Sequence, residues 1–264
     1  MYLIRYGEIA IKGLNRGYFE NQLKQNIANF LKKNKIKYDE IVRKRGRILL
    51  FTQENAEEVK KVFGITSISK AIIAELNIED IKKKTIPLIK NKKFNTFRVN
   101  SRRLTKDFDL NSNQINIELG SFIEKTAKKK VNLSNPDLTI YVEIIEDKAY
   151  VFDKKIQAYG GLPVGTEGKV VSLIENKESI NASLLMMKRG CSIIPVGYEN
   201  KDIQLLDKYS STPLKLKIIK NLKEIEKLDP KALVVSQNLN NFKELDTKLT
   251  VLRPLISSHA PIIK

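Results

Sequence analysis

Two periods of apolar residues alternate along the first part of the chain. Tyr2-Leu3-Ile4-Arg5-Tyr6 reads as a short strand, and Gly7 to Arg16 as a polar turn. Phe19, Leu23, Ile27, Phe30 and Leu31 recur at helical spacing, which predicts an amphipathic helix over about 17–34. The basic run Arg43-Lys44-Arg45-Gly46-Arg47 precedes the strand Ile48-Leu49-Leu50-Phe51, and residues 55–63 read as a second helix with Thr52 or Asn55 as its cap. Ala71–Ala74 is a further strand, and residues 78–90 form a helix with Ile78, Ile81 and Leu88 as apolar positions. The alternating run Phe97-Arg98-Val99-Asn100 is a strand with one apolar and one polar face. A helix from about Ser112 to Lys129 carries Ile115, Leu119, Phe122 and Ile123 on one face. A turn at Asn135-Pro136-Asp137 then leads into the strand Leu138–Ile145.

After the Gly/Pro-rich stretch Gly160-Gly161-Leu162-Pro163-Val164-Gly165-Thr166, read as a hinge, the pattern resumes with a strand over 169–174. Further strands are expected at 192–198 and 231–236, and helices at 203–209 and 214–228. This is an α/β chain of three modules, 1–70, 71–160 and 161–264, each long enough for its own core. The element order of the first suits a ferredoxin-like domain. The Gly/Pro stretch is no Walker phosphate loop, because Pro163 stands five residues before Gly168 and Lys169 is followed by Val170.

Charge changes the picture more than composition does. The formal net charge is +18, divided as +8, +5 and +5 over the three modules. A surface of that sign holds polyanions through phosphate contacts, although a Lys-rich chain also suits an AT-rich genome or a hot habitat. The Lys residues are scattered and do not line one amphipathic helix, which disfavours a membrane surface. No apolar run is long enough to span a bilayer and the N-terminus starts a strand, so a cytoplasmic location is expected. One cysteine (Cys191) and one histidine (His259) exclude an intrachain disulfide and leave no zinc site. Cys191 reads as a small core residue, and His259 is left unassigned. Three basic groups are candidates for phosphate contact: Lys12 and Arg16 in the first turn, Arg43, Arg45 and Arg47 as a ridge along one extended strand, and Arg102, Arg103 and Lys106 where strand hands over to helix.

The F-x-V-x-x-R-R opening at Phe97, the Lys106-Asp107-Phe108 segment and NLSNPDLTIYVEI after the helix together resemble the THUMP domain, an RNA-binding module of tRNA-modifying enzymes. RYGEIAIKGLNRGYFE and FGITSISKA look like the ferredoxin-like domain that precedes THUMP in the tRNA 4-thiouridine synthetase family. GGLPVGT, LLMMKRGC, ALVVSQNL and LTVLRPLI are similar to that family's linker and PP-loop ATPase domain, which implies a reduced Rossmann-like third module.

In the family the PP-loop reads S-G-G-x-D-S. Here the aligned positions are Ile174, Glu175, Asn176, Lys177, Glu178 and Ser179. Both glycines are missing, and Glu175 sets a carboxylate where a phosphate would sit, a repulsion on the order of several kcal/mol. The later active-site segment is shortened to Ser236-Gln237-Asn238-Leu239-Asn240-Asn241, and the chain stops before the position of the family's catalytic cysteine. The resemblance therefore implies a tRNA-binding protein with no catalytic residues, no cofactor and no metal, working as a homodimer or with a separate catalytic subunit. The alternatives are a divergent tRNA sulfurtransferase that still uses ATP, and a sensor of another nucleotide or RNA.

Overall fold

The computed structural model describes residues 1–90 and 92–257. β1 (Tyr2–Tyr6) is buried at every position. The polar turn after it is a pair of 3-10 turns, Glu8–Ile11 and Gly13–Asn15. In α1 (Arg16–Lys33) the buried stripe is Phe19, Leu23, Ile27, Phe30 and Leu31, joined by Asn26. β2 (Glu40–Lys44) and β3 (Arg47–Phe51) form an antiparallel hairpin with Lys44 opposite Arg47. Its two-residue turn is Arg45-Gly46, and Gly46 supplies a φ of 72° that a side chain would resist. The helix expected over 55–63 is only a 3-10 segment, Glu57–Lys61. Asn55 and Thr52 accept from the amides of Glu57 and Glu54, two residues on, so they hold local turns and do not cap an α-helix. β4 (Ile65–Lys70) completes this region.

β5 (Ile72–Glu75), α2 (Ile78–Lys90), β6 (Thr96–Arg103), α3 (Ser112–Ala127), β7 (Lys130–Val131), β8 (Leu138–Ile145) and β9 (Lys148–Phe152) follow. Their sheet order is β5-β9-β8-β6-β7, with β6 and β8 parallel from Phe97 opposite Leu138 to Arg103 opposite Ile144. One face packs Phe97, Val99, Ile140, Val142 and Ile144 against Ile81 of α2 and Ile115, Leu119 and Ile123 of α3. Asn111 and Gln114 form a reciprocal capping box that starts α3. β9 and the short β10 (Ile156–Gln157) add to the strands expected. β10 pairs with β4 in the other N-terminal sheet, whose order is β10-β4-β1-β3-β2.

β11 (Lys169–Leu173), α4 (Lys177–Lys188), β12 (Ser192–Gly197), α5 (Gln204–Tyr209), β13 (Lys217–Ile218), α6 (Lys223–Glu226), β14 (Leu233–Val234) and β15 (Val251–Leu252) build the third sheet, β13-β12-β11-β14-β15, with every neighbouring pair parallel. The chain steps outward from β11 in one direction and then returns to the other side, so a topological switch point lies between β11 and β14. The helix expected over 214–228 is β13 followed by the single turn α6. Leu214, Leu216 and Ile218 alternate with Lys215 and Lys217 in period two, which is strand spacing. The expected hinge is anchored: Leu162 N–H bonds Lys188 O at 2.9 Å and Gly165 N–H bonds Gly190 O at 2.8 Å. Gly161, at φ 79°, has the Lys188 carbonyl 2.2 Å from where a Cβ would stand.

Two compact units result. The first comprises Met1–Arg5, Tyr38–Glu54 and Ser67–Gln157, and the second Tyr6–Lys37, Asn55–Thr66 and the chain from Ala158 onward. The strands of the first sequence module thus fall largely in one unit, and its helix α1 in the other.

Candidate nucleic-acid interface

In the first unit the centre of charge is Glu143 on β8, which is 3% exposed. Arg5 Nε donates to its Oε1 at 2.8 Å and Arg47 Nε to its Oε2 at 2.7 Å. Arg5 also donates to Ser69 Oγ and lies over the Phe152 ring at 4.7 Å. Burial pushes the Glu143 carboxyl up, but the guanidiniums of Arg5 and Arg47 outweigh it and hold the group below its ordinary range. This corrects the expected ridge. Arg43 sits on β2, Arg45 in the turn and Arg47 on β3, so the three do not line one strand. Arg47, 7% exposed, is turned inward to a carboxylate. Arg43 and Arg45 are exposed. Glu146 fastens the hairpin tip, accepting from Lys44 Nζ at 2.6 Å and from the Arg45 amide at 3.2 Å.

The second basic group divides in the same way. Arg102 and Lys106 are exposed. Arg103 donates through one Nη to the carbonyls of Phe108 and Leu110, at 2.9 and 2.8 Å, and so closes the loop between β6 and α3. Two cations outside the basic clusters of the sequence lie nearby. Arg98 bonds Thr139 Oγ1 and Leu133 O at 3.1 Å each, on the β6 face that also carries Arg102. Lys155, just beyond β9, places its ammonium 4.2 Å from the Tyr141 ring centroid. The alternation at Phe97–Asn100 would have placed Arg98 and Arg102 on one face. Nothing local marks Lys155.

In the second unit, Lys12 lies over the Phe19 ring at 4.7 Å. Arg16 is bound to Glu20 at 2.7 Å and to the Tyr6 hydroxyl at 3.0 Å, while that hydroxyl also bonds Glu20. Burial, with Glu20 adding, pushes the Tyr6 phenol up to about 12. Arg16 therefore has protein partners to leave before it could meet a phosphate.

The loop after β11 closes on itself at the switch point. The Asn176 carboxamide caps α4, its Oδ1 accepting from the Ser179 amide at 3.0 Å. Ser179 Oγ accepts from the amides of Glu175 and Asn176, at 3.1 and 3.4 Å. From the far side of the crevice, Ser236 after β14 bonds both Ser179 Oγ and Asn176 Oδ1, at 3.1 and 3.2 Å. Ser172 and Ser183 continue the buried hydroxyl chain beneath it. The amides of residues 175, 176 and 179 are thus all used internally, and Glu175 stands exposed at the loop tip.

Cys191 is buried, and burial raises its thiol pKa, with Glu167 adding. His259 lies outside the described residues. Among the described residues, no cluster of three or more His, Cys, Asp or Glu side chains could hold a metal ion, and no helix is long and apolar enough to cross a membrane.

Residues 1–69 match the family described as the ThiI ferredoxin-like domain, and residues 75–153 match the THUMP domain. A probable tRNA sulfurtransferase of Thermococcus kodakarensis is 41% identical over 205 residues, covering 74% of this chain and 54% of that protein. The corresponding protein of Mycoplasmopsis synoviae is 42% identical over 193 residues, covering 72% and 50%. The chain therefore spans about half the length of these curated relatives. Among solved structures, PH1313 from Pyrococcus horikoshii superposes with a TM-score of 0.89 at 32% identity, covering 97% of this chain and 94% of that one. A 4-thiouridine synthetase in complex with RNA and bound ATP superposes at 0.80 with 27% identity, covering 96% and 80%.

Proposed function

The chain belongs to the tRNA sulfurtransferase family, carrying its ThiI ferredoxin-like and THUMP domains, and from that premise we propose that it binds tRNA without itself activating ATP or transferring sulfur. The tRNA half of this reading draws on the THUMP match, on a solved neighbour that is an RNA complex, and on the exposed cations Arg43, Arg45, Arg102 and Lys106 of the first unit. Phosphate contacts of this kind position a polyanion without reading its bases. Arg47, Arg103 and Arg16 act differently. Arg47 and Arg103 hold Glu143 and the β6–α3 loop, and so shape the surface that the other cations of the first unit occupy, while Arg16 holds Glu20 in the second unit.

The ATP half rests on one observation, the closed loop at Asn176, Ser179 and Ser236. A phosphate at a helix N-terminus needs free amides. Here the amides of residues 175, 176 and 179 are already bonded, and a carboxylate stands beside them. A thiolation step would then come from a separate catalytic protein in the same cytoplasmic compartment, with this chain supplying the grip on tRNA.

Isothermal calorimetry of the full chain tests both halves. Titration with tRNA at low salt is expected to give saturable binding, and titration with magnesium ATP no heat above dilution. Micromolar ATP affinity overturns the second half and favours a divergent sulfurtransferase. Absence of tRNA binding overturns the first.

A further inference from the structure

The polar face of the sheet β5-β9-β8-β6-β7 is covered on one side and open on the other. Alternation puts Asn100 and Arg102 of β6 on the same face as Tyr141 and Glu143 of β8, with Asn100 opposite Tyr141 and Arg102 opposite Glu143. Toward β9 this face is sealed, where Tyr150 and Phe152 pack against Leu3 and Leu49. Toward β6 it is open, and Asn100 and Arg102 are exposed.

At the boundary stands Lys155. Its ammonium lies 4.2 Å from the Tyr141 centroid and 5.9 Å from that of Phe152, while the two rings stack at 5.1 Å with 10° between their planes. A ring face of this kind attracts a cation through its quadrupole and so holds it in place. Glu143 is already bonded on both oxygens, by Arg5 and by Arg47. Arg5 and Arg47 thus satisfy this carboxylate, Arg102 stands opposite it on β6, and Lys155 lies within the field of all these groups, so the two exposed cations share a surplus of positive charge.

We propose that Lys155 and Arg102 grip two neighbouring backbone phosphates of the bound RNA, one each, with Lys155 held in position by the Tyr141–Phe152 stack. Arg102 supplies a planar fork able to engage two phosphate oxygens and Lys155 a point charge. Burial lowers the Lys155 pKa and the field of Arg5 adds to it, with Arg47 and Arg102 contributing against Glu143, so an incoming anion would relieve mutual repulsion among these cations. The proposal rests on the RNA-binding reading above, and it adds a residue from a stretch that no basic cluster in the sequence marks.

Binding of labelled tRNA to the full chain, measured by fluorescence anisotropy between about 50 and 200 mM salt, tests it with Lys155→Met, Arg102→Gln, the double variant and Lys155→Arg. Methionine keeps an unbranched side chain over the rings, and thermal melts confirm folding. Each single loss is expected to weaken binding about five- to eightfold at 0.1 M salt and to make the slope of log K against log salt shallower by about 0.7–0.9. Lys155→Arg should retain most of the affinity, and Lys217→Gln, on an edge of the third sheet, should change neither quantity. If the unaltered chain binds tRNA while Lys155→Met and Arg102→Gln keep its affinity and slope, the phosphate grip is wrong and the broader reading stands. If the unaltered chain does not bind tRNA, both fall.

Discussion

Glu143 holds two arginines at once, and the consequence for stability follows from its titration. Its carboxyl is depressed in the folded chain because the attraction of Arg5 and Arg47 exceeds the cost of burial. A depressed carboxyl contributes stability that is fully present above its unfolded value, near 4.5, and is lost as pH falls through the lower folded value. Urea unfolding of the wild type should therefore show a stability decline below about pH 4.5 to which this group contributes. Glu143→Gln should lower stability at pH 7 by about 3 kcal/mol, because two buried guanidiniums lose their counter-charge, and should show a shallower acid decline. An unchanged denaturation midpoint for this variant would mean that the ion pairs are structurally idle. The pairing also explains why the role of Arg47 could not be read from its neighbours. Arg43, Arg45 and Arg47 look alike in sequence, and the partner that turns one of them inward lies 96 residues away.

Helix α4 is fixed at both ends by groups of different origin, and one of them carries the argument about ATP. At its N-terminus the Asn176–Ser179 box joins Ser236 from the other side of the switch point. Near its C-terminus the Lys188 carbonyl accepts from Leu162. Asn176→Ala should cost about 1–2 kcal/mol in thermal or urea unfolding, since a helix cap is lost and two hydroxyls lose an acceptor. ATP affinity should not appear, because Glu175 and the missing glycines remain; a gain of ATP binding would show that the cap alone had closed the site. The missing glycines were legible in the sequence, as were the strands and helices with strong periodicity. The bridge from Ser236 was not, because it joins residues 57 apart in the chain. Where element type differs from the periodicity, a local competitor decided the outcome: Asn55 and Thr52 bind nearby amides instead of capping a helix, and Leu214–Ile218 follows period two inside a segment that looked helical.

For the whole molecule, a net charge of +18 states a sign and not a surface. The fold sorts that charge. Of the basic residues singled out in sequence, Arg16, Arg47 and Arg103 are bound to protein groups, and Lys12 lies over an aromatic ring. Arg43, Arg45, Arg102, Lys106 and, from outside those clusters, Lys155 are the five exposed cations of the first unit proposed for RNA contact. If each neutralises one phosphate, log K for tRNA should fall against log salt with a slope of about −4, at about 0.7–0.9 per contact. Anisotropy titrations across that salt range read this number directly. A slope near zero would remove phosphate contacts as the basis of binding. A slope well beyond −5 would require cations of the second unit, with Lys12 the first to substitute, whereas a slope near −4 that drops by two contacts in the Arg102→Gln, Lys155→Met double variant would assign much of the grip to the open half of one sheet.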